Sequence, residues 1–372
     1  MYFVTYGRFA SLVADVNLEI ILSSLIPVFL YHFEKHNFLK LGFVFVFLLV
    51  GRENFSLWLI FIGLFLLGTY WKDYKKRIAS IIIIFISLLY FILAFKVFIP
   101  YFENPNKHFS LFNYSALGDN PFDALKFIFY NPLKAISLLF VNHLDDAQYD
   151  FVKYEFYIIY LFSGGFLVFL RPKYLLLLIP IIAQKMYNDN PLRWSSEFYY
   201  SIEVVTILPI VVFFILNEIR FPNFIKKHSV KIKKYLGILI VISGAAMTIH
   251  QFDFKHRELK YYGPDKNKFY DARMYATSFD VSKVHNYLNI IPEHASVSAT
   301  GNITSHLAFR EKIFYFPRVE DADYIVLLTN LVPYFLTEQK FNQHINKYLY
   351  NEDWKIIVND DPLIILKKKE KL

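Results

Sequence analysis

Six side chains that can hold or move charge fall beside apolar stretches of this chain: Glu19, Arg52, Glu53, Lys185, Arg193 and Glu203. Tyr199, Tyr200 and Ser201 add hydroxyls next to the last of them. A carboxylate can take a proton from a hydroxyl, and fixed cations can hold a phosphate and the charge that develops as a bond to it breaks. Glu53 or Glu19 is the candidate general base or acceptor-orienting group. Arg52, Lys185 and Arg193 are the candidate phosphate holders, with Tyr200 and Glu203 as further substrate-binding groups. Taken singly, each residue is better read as an interface anchor or a helix cap. What groups them, together with Asp15 and Asp189, is a shared depth, and that depends on the elements that carry them.

Those elements are apolar. Of 372 residues 55% are hydrophobic, with 41 Phe and 28 Tyr, a composition that fits a multi-pass membrane protein and not a soluble enzyme. The net charge of +8 would point to nucleic acid in a soluble chain. Here the cations cluster beside apolar segments, so they report membrane orientation, and no nucleic-acid partner is expected. With no cysteine, disulfides and thiolate metal sites are excluded. The sequence has no metal motif, phosphate loop or nucleophile elbow. Which cofactor is used stays open, a divalent metal being the one candidate. Residues 1–15 lack the pattern of a cleaved signal peptide.

Helical apolar windows lie at Asn17–Tyr31, Leu39–Val50, Phe55–Tyr70, Ile78–Ile99, Tyr154–Leu170, Tyr174–Tyr187, Tyr199–Leu216 and Tyr235–Ile249. Gly51-Arg52-Glu53-Asn54 interrupts the second and third. It is either a charged knot within one long crossing or the tip of a hairpin, and the plain alternative is a self-satisfied Arg52–Glu53 pair at a helix end. The lysines favour the hairpin. One set of loops holds Lys35, Lys40, Lys72, Lys75, Lys76, Arg77, Arg171, Lys173, Arg220, Lys226, Lys227, Lys231, Lys233 and Lys234; the alternate set, nearly twice as long, holds half as many cations. The lysine-rich side is cytoplasmic. A single crossing would put Lys35 and Lys72 on opposite sides, so eight spans are expected, with Arg52 and Glu53 facing outward. The first span then runs inward from an external Met1, and a missing amino-terminal part is expected.

Between the fourth and fifth windows, Pro121–Tyr130 and Pro132–Leu144 each open with a proline suited to a first helical turn, and read as two amphipathic helices in the outer interface. Pro27, Pro180 and Pro209 sit inside apolar windows, where membrane helices tolerate proline. After residue 250 the composition changes. Gln251–Tyr275 is charged and aromatic with a Gly263-Pro264-Asp265 turn. Strands are expected at Ala295–Thr300, Tyr324–Leu328, Trp354–Val358 and Leu363–Leu366, with a helix over Phe335–Tyr350. Thus 1–250 reads as a transmembrane domain with interfacial helices near 121–144, and 251–372 as a small extracytoplasmic α/β domain. Ala299-Thr300-Gly301-Asn302 follows a strand and opens a helix, where backbone amides can hold an anion; an ordinary strand-to-helix turn explains it better.

Several short stretches, in order, resemble a large uncharacterised family of bacterial and archaeal predicted membrane proteins, a domain of unknown function grouped with the GT-C glycosyltransferases. They are Asn17-Leu18-Glu19, where members carry His-Pro-Glu; Arg52-Glu53-Asn54, similar to a Lys/Arg-Glu-Asp; Tyr114-Ser115-Ala116-Leu117-Gly118; Asn131-Pro132-Leu133; Asn188-Asp189-Asn190-Pro191; Tyr199-Tyr200-Ser201; and, in the tail domain, Ile291–Val297, His306–Arg310 and Asp323–Val326. The resemblance implies an α-helical, GT-C-like polytopic fold in the cell (inner) membrane. It also implies a glycosyltransferase that takes a polyprenyl-phosphate-linked sugar at the outer face, with membrane lipid and the lipid-linked donor as partners. In such enzymes an acidic residue in the first external loop acts on the acceptor. That span and loop are not found here, and Asn17 and Asn54 replace the motif's His and Asp. The competing readings are a non-catalytic remnant or assembly partner of such an enzyme and, third, a transporter.

Overall fold

Asparagine or aspartate residues start three of the apolar helices by satisfying their free amides. The Asn17 Oδ1 accepts the Glu19 N–H at 2.9 Å and opens α2, Leu18–Glu34. Asn37 opens α3, Phe38–Gly51. Asp73 accepts the Lys76 N–H at 3.1 Å and opens α5, Tyr74–Leu93, which continues through a π-helical turn, Ala94–Phe98, into α6, Ile99–Phe102. The structure, a computed structural model, describes all residues except 2–3, 14–16, 103–111, 145, 198, 223–227, 254–271, 273–275, 334–335 and 370–372. Asp15, the Gly263-Pro264-Asp265 turn and Phe335 therefore lie outside the described residues.

The chain forms two compact units, Met1–Met274 and Tyr275–Leu372. In the first, α4 spans Glu53–Thr69, α7 Pro121–Tyr130, α8 Pro132–Leu138, α9 Val152–Phe162, α10 Leu175–Met186, α11 Pro191–Trp194, α12 Ile202–Glu218 and α13 Ser229–Asp253. Each of the eight apolar windows carries helix, but of unequal length. The stretches Tyr74–Phe102 and Ser229–Phe252 are long and apolar enough to cross a membrane, whereas α3 and α4 are apolar but shorter. The Tyr154–Leu170 window is interrupted: α9 stops at Phe162, Gly164 takes the left-handed conformation with φ 94°, and Gly165–Leu170 continues as a 3-10 helix.

The second and third windows form two helices. Arg52 is extended, with φ −160° and ψ 138°, so the chain breaks between α3 and α4 instead of passing through as one rod. Gly51 sits at the break because α2 comes close there: a Cβ on it would stand 2.7 Å from the Leu22 side chain. The core joins Leu22, Ile26, Phe29 and Phe33 of α2 to Phe45 and Leu48 of α3, Leu59 and Ile62 of α4, and Val205, Val211 and Ile215 of α12. The outer faces of the helices stay apolar. Leu39, Phe43, Val46, Phe47 and Val50, one face of α3 at helical spacing, are all exposed. Such a face is stable against hydrocarbon and not against water.

Neither α1, Tyr6–Val13, nor α11 had a counterpart in the apolar windows or the expected interfacial helices. α1 is eight residues long and packs on α12 and α13, where the Tyr6 hydroxyl donates to both carboxylate oxygens of Glu197 at 2.9 and 3.0 Å.

In the second unit, strands β1 (Val297–Ala299), β2 (Ile313–Tyr315), β3 (Tyr324–Leu328), β4 (Trp354–Asp360) and β5 (Leu363–Lys368) form one sheet in the order β2-β1-β3-β5-β4. The first three run parallel and β5 and β4 pair antiparallel. Alternation assigns the faces. Tyr324, Val326, Leu328 and Ile365 pack with α14 (Val281–Leu288), while Ile325, Leu327, Ile364 and Leu366 pack with α16 (Glu338–Leu349). The strands β1, β3, β4 and β5 and the last helix fall where the sequence places them; β2 and α14 were not expected. The Ala299–Asn302 turn opens only a four-residue helix, α15 (Gly301–Thr304), and the Tyr315 side chain packs against Gly301. It is an ordinary turn.

Candidate functional site

Glu19, in the first turn of α2, is buried, and its two oxygens are claimed from the neighbouring break. Arg52 Nη1 donates to Oε2 at 2.6 Å and Asn54 Nδ2 donates to Oε1 at 3.2 Å. The ion-pair partner of Arg52 is thus Glu19 and not the adjacent Glu53. Burial opposes the Arg52 charge, but Glu19, followed by Glu53, Tyr199 and Glu203, outweighs it and holds the guanidinium above its ordinary pKa.

Across from Glu19, α10 and α12 bring Lys185 and Glu203, both buried. Lys185 Nζ donates to the Ser195 carbonyl at 3.1 Å, the Tyr200 carbonyl at 2.8 Å and the Ser201 hydroxyl at 3.2 Å. An ammonium has three protons, and all three are used. Glu203 and Glu19 line the same cavity. Arg193 stands over the Tyr200 ring, 5.3 Å from its centre, and the Tyr199 and Tyr200 rings pack at 4.6 Å.

Glu19, Ile181, Gln184, Lys185, Arg193, Tyr200 and Glu203 line one cavity of about 10 Å³, room for the centre of a single water-sized sphere. Five of the seven sequence-predicted residues are therefore on its wall. Arg52 reaches it through Glu19. Glu53 lies beside Arg52 and not on the cavity. Gln184 was missed, although a polar residue next to Lys185 in an apolar window is visible in the sequence. Among the described residues no group of three or more His, Asp or Glu side chains is placed to hold a metal ion.

Residues 1–365 match the family model described as "Predicted membrane protein (DUF2079)". The chain belongs to the DUF2079 family of predicted membrane proteins. No curated protein and no solved structure matches it. Membership of DUF2079 accords with the exposed apolar helix faces and leaves the activity open.

A second constellation in this DUF2079 chain joins two of the short stretches singled out in the sequence. In Asn188-Asp189-Asn190-Pro191, Asn188 Oδ1 accepts the Asn190 N–H and Asn190 Oδ1 accepts the Leu192 N–H, both at 3.0 Å, which starts α11 at Pro191. This frees Asp189 to reach across: its carboxylate accepts the Ser115 N–H at 3.0 Å and the Ser115 hydroxyl at 2.9 Å, and its own N–H donates to Asn113. His143 Nε2 lies 3.5 Å from the same carboxylate. Lys153, fully buried, donates to the carbonyls of Leu138, the last residue of α8, and of Val141 beyond it, and lies 3.2 Å from His143 Nδ1 and 4.4 Å from the centre of Trp194. Its ammonium closes the last turn of α8, as cations do at helix C-termini. His143 and Trp194 were not among the candidates, and nothing local marks them.

Proposed function

We propose that this protein is an integral membrane protein whose eight apolar helical segments all lie within a bilayer, with α7 and α8 in its outer interface and the second unit outside the cell. At the outer face it acts as a GT-C-like glycosyltransferase on a polyprenyl-phosphate-linked sugar. The observation that carries this reading is the convergence of Glu19, Lys185, Arg193, Tyr200 and Glu203 on one cavity, with Arg52 gripping Glu19. Two acids and two cations line that cavity. The cations suit a lipid phosphate, and Glu19 is the carboxylate placed to orient or deprotonate an acceptor hydroxyl. Arg52 and Lys185 set the positions of Glu19 and of the Ser195–Ser201 backbone, Arg193 is the phosphate holder, and Glu53 is the lesser candidate for the base. The test is transfer of sugar from a polyprenyl-phosphate donor to a lipid acceptor by the purified chain in vesicles. Transfer is expected, with Glu19→Gln reducing it by on the order of a hundredfold. Full transfer by Glu19→Gln, and again by Arg52 and Glu53 replaced together, would remove these roles.

One observation favours a second reading, a non-catalytic member that assembles with such an enzyme. The cavity is small and the Lys185 protons are all taken by protein acceptors. Donor lipid bound by the wild type without any transfer supports that reading.

A further inference from the structure

A second concavity lies at the opposite ends of the helices from Arg52. Residues of α3 and α5 line a groove of about 810 Å³, within the range of pockets that take an organic ligand. Leu41 and Phe45 of α3 and Ile78, Ile82 and Ile83 of α5 supply its walls. From Lys75 to Ile83 the groove follows α5 for about 12 Å at the helical rise. Gly42 opens onto it: a Cβ there meets no atom within 4 Å.

The mouth is basic and the walls are not. His36 and Lys75 stand at the lysine-rich end of the groove, with Lys35, Lys40, Lys72 and Arg77 near them in the chain. The carboxylates there are already engaged. Glu34 takes the Lys76 ammonium at 3.0 Å, and Asp73 caps α5 and lies 3.5 Å from His36. Lys75 is exposed and, among the described residues, has no carboxylate within 4 Å. On the same two helices Phe43, Phe47, Ile81 and Phe85 are exposed, so the groove opens among surfaces that suit hydrocarbon.

An apolar slot that takes the headgroup-proximal part of an acyl chain, ending at an unpaired ammonium among further cations, has the chemistry of an anionic lipid. Basic pockets between membrane helices on the cytoplasmic side recognise such headgroups. We propose that the α3–α5 groove binds one acyl chain of an anionic phospholipid, with the phosphate at Lys75 and His36. The inference shares with the reading above only the placement of these helices in a bilayer. None of its residues touches the Glu19 cavity, so either can fail without the other.

The experiment uses the full chain in detergent micelles, presented with phosphatidylglycerol and phosphatidylcholine of identical chains and read by native mass spectrometry. The wild type is expected to retain one phosphatidylglycerol with about fivefold preference, the scale of one lysine at a membrane surface. Lys75→Glu removes the preference. Gly42→Phe, or Gly42→Leu should the larger ring prevent folding, fills the slot and removes retention of both lipids. Excess glycerol phosphate does not compete, because the chain in the slot supplies the binding. Equal retention of the two lipids by the wild type, undiminished retention by the Gly42 variants, or displacement by glycerol phosphate each overturns the proposal.

Discussion

Arg52 and Glu19, 33 residues apart in the chain, meet at 2.6 Å, and neither side chain is as much as a quarter exposed. The contact ties the break between α3 and α4 to the start of α2. Removing one partner of a buried pair leaves the other charge uncompensated, which costs on the order of 3 kcal/mol. Arg52→Ala is therefore expected to destabilise the first unit by about that amount, measured by thermal unfolding in micelles. Adding Glu19→Gln to Arg52→Ala should recover part of the loss, since the stranded carboxylate is gone. A double variant less stable than Arg52→Ala alone would contradict the pairing.

Asp189 holds the segment that leads into α7 by the Ser115 amide and hydroxyl. Hydrogen bonds to a charged acceptor contribute about 1.5–3 kcal/mol. Asp189→Ala should therefore speed amide exchange over residues 113–118 by on the order of tenfold or more and leave α4 and α5 unchanged. Unaltered exchange at Ser115 would show that the segment is held by other contacts.

His143 carries a pH dependence. Burial first, and the Lys153 ammonium second, hold its pKa below the ordinary value, while Asp189 pulls the other way. A group with a depressed folded pKa favours folding in its neutral form. Its contribution is complete above about pH 6.5 and is lost as the pH falls through the lower folded value. Melting temperature from pH 8 to pH 5 should drop at the acid end, and His143→Gln should flatten that drop. A drop of the same size in the variant would assign it to other groups.

The absence of cysteine makes topology directly measurable. Single cysteines at Asn54 and Asp119 are expected to react with a membrane-impermeant thiol reagent added outside the cell, and one at Lys72 only after permeabilisation. Labelling of all three from one side would remove the hairpin.

Much of the architecture was legible because it is local. Apolar runs marked α2, α3 and α5, the last of them starting a turn earlier than its window, and prolines at the first turn marked α7 and α8; α11 was not expected. Unbroken apolar runs in Tyr324–Leu328 and Leu363–Leu366 marked strands that are covered on both faces. The candidate residues were legible as charges that an apolar flank does not favour. α1 was not, because its eight residues are held by contacts such as Tyr6 with Glu197, 191 positions away.

The sequence by itself determined where the apolar helices lie, that they break at Arg52 and which charges stand beside them, since periodicity and apolarity act within a few residues. Only the tertiary structure decided that Arg52 pairs with Glu19 and not with Glu53, that Lys185 is consumed by the Ser195–Ser201 backbone, and that Asp189 captures Ser115. The reason is physical. A buried charge takes whichever partner helix packing brings within hydrogen-bonding distance, and that distance is set by the fit of side chains such as Leu22 against Gly51, which no spacing along the chain encodes.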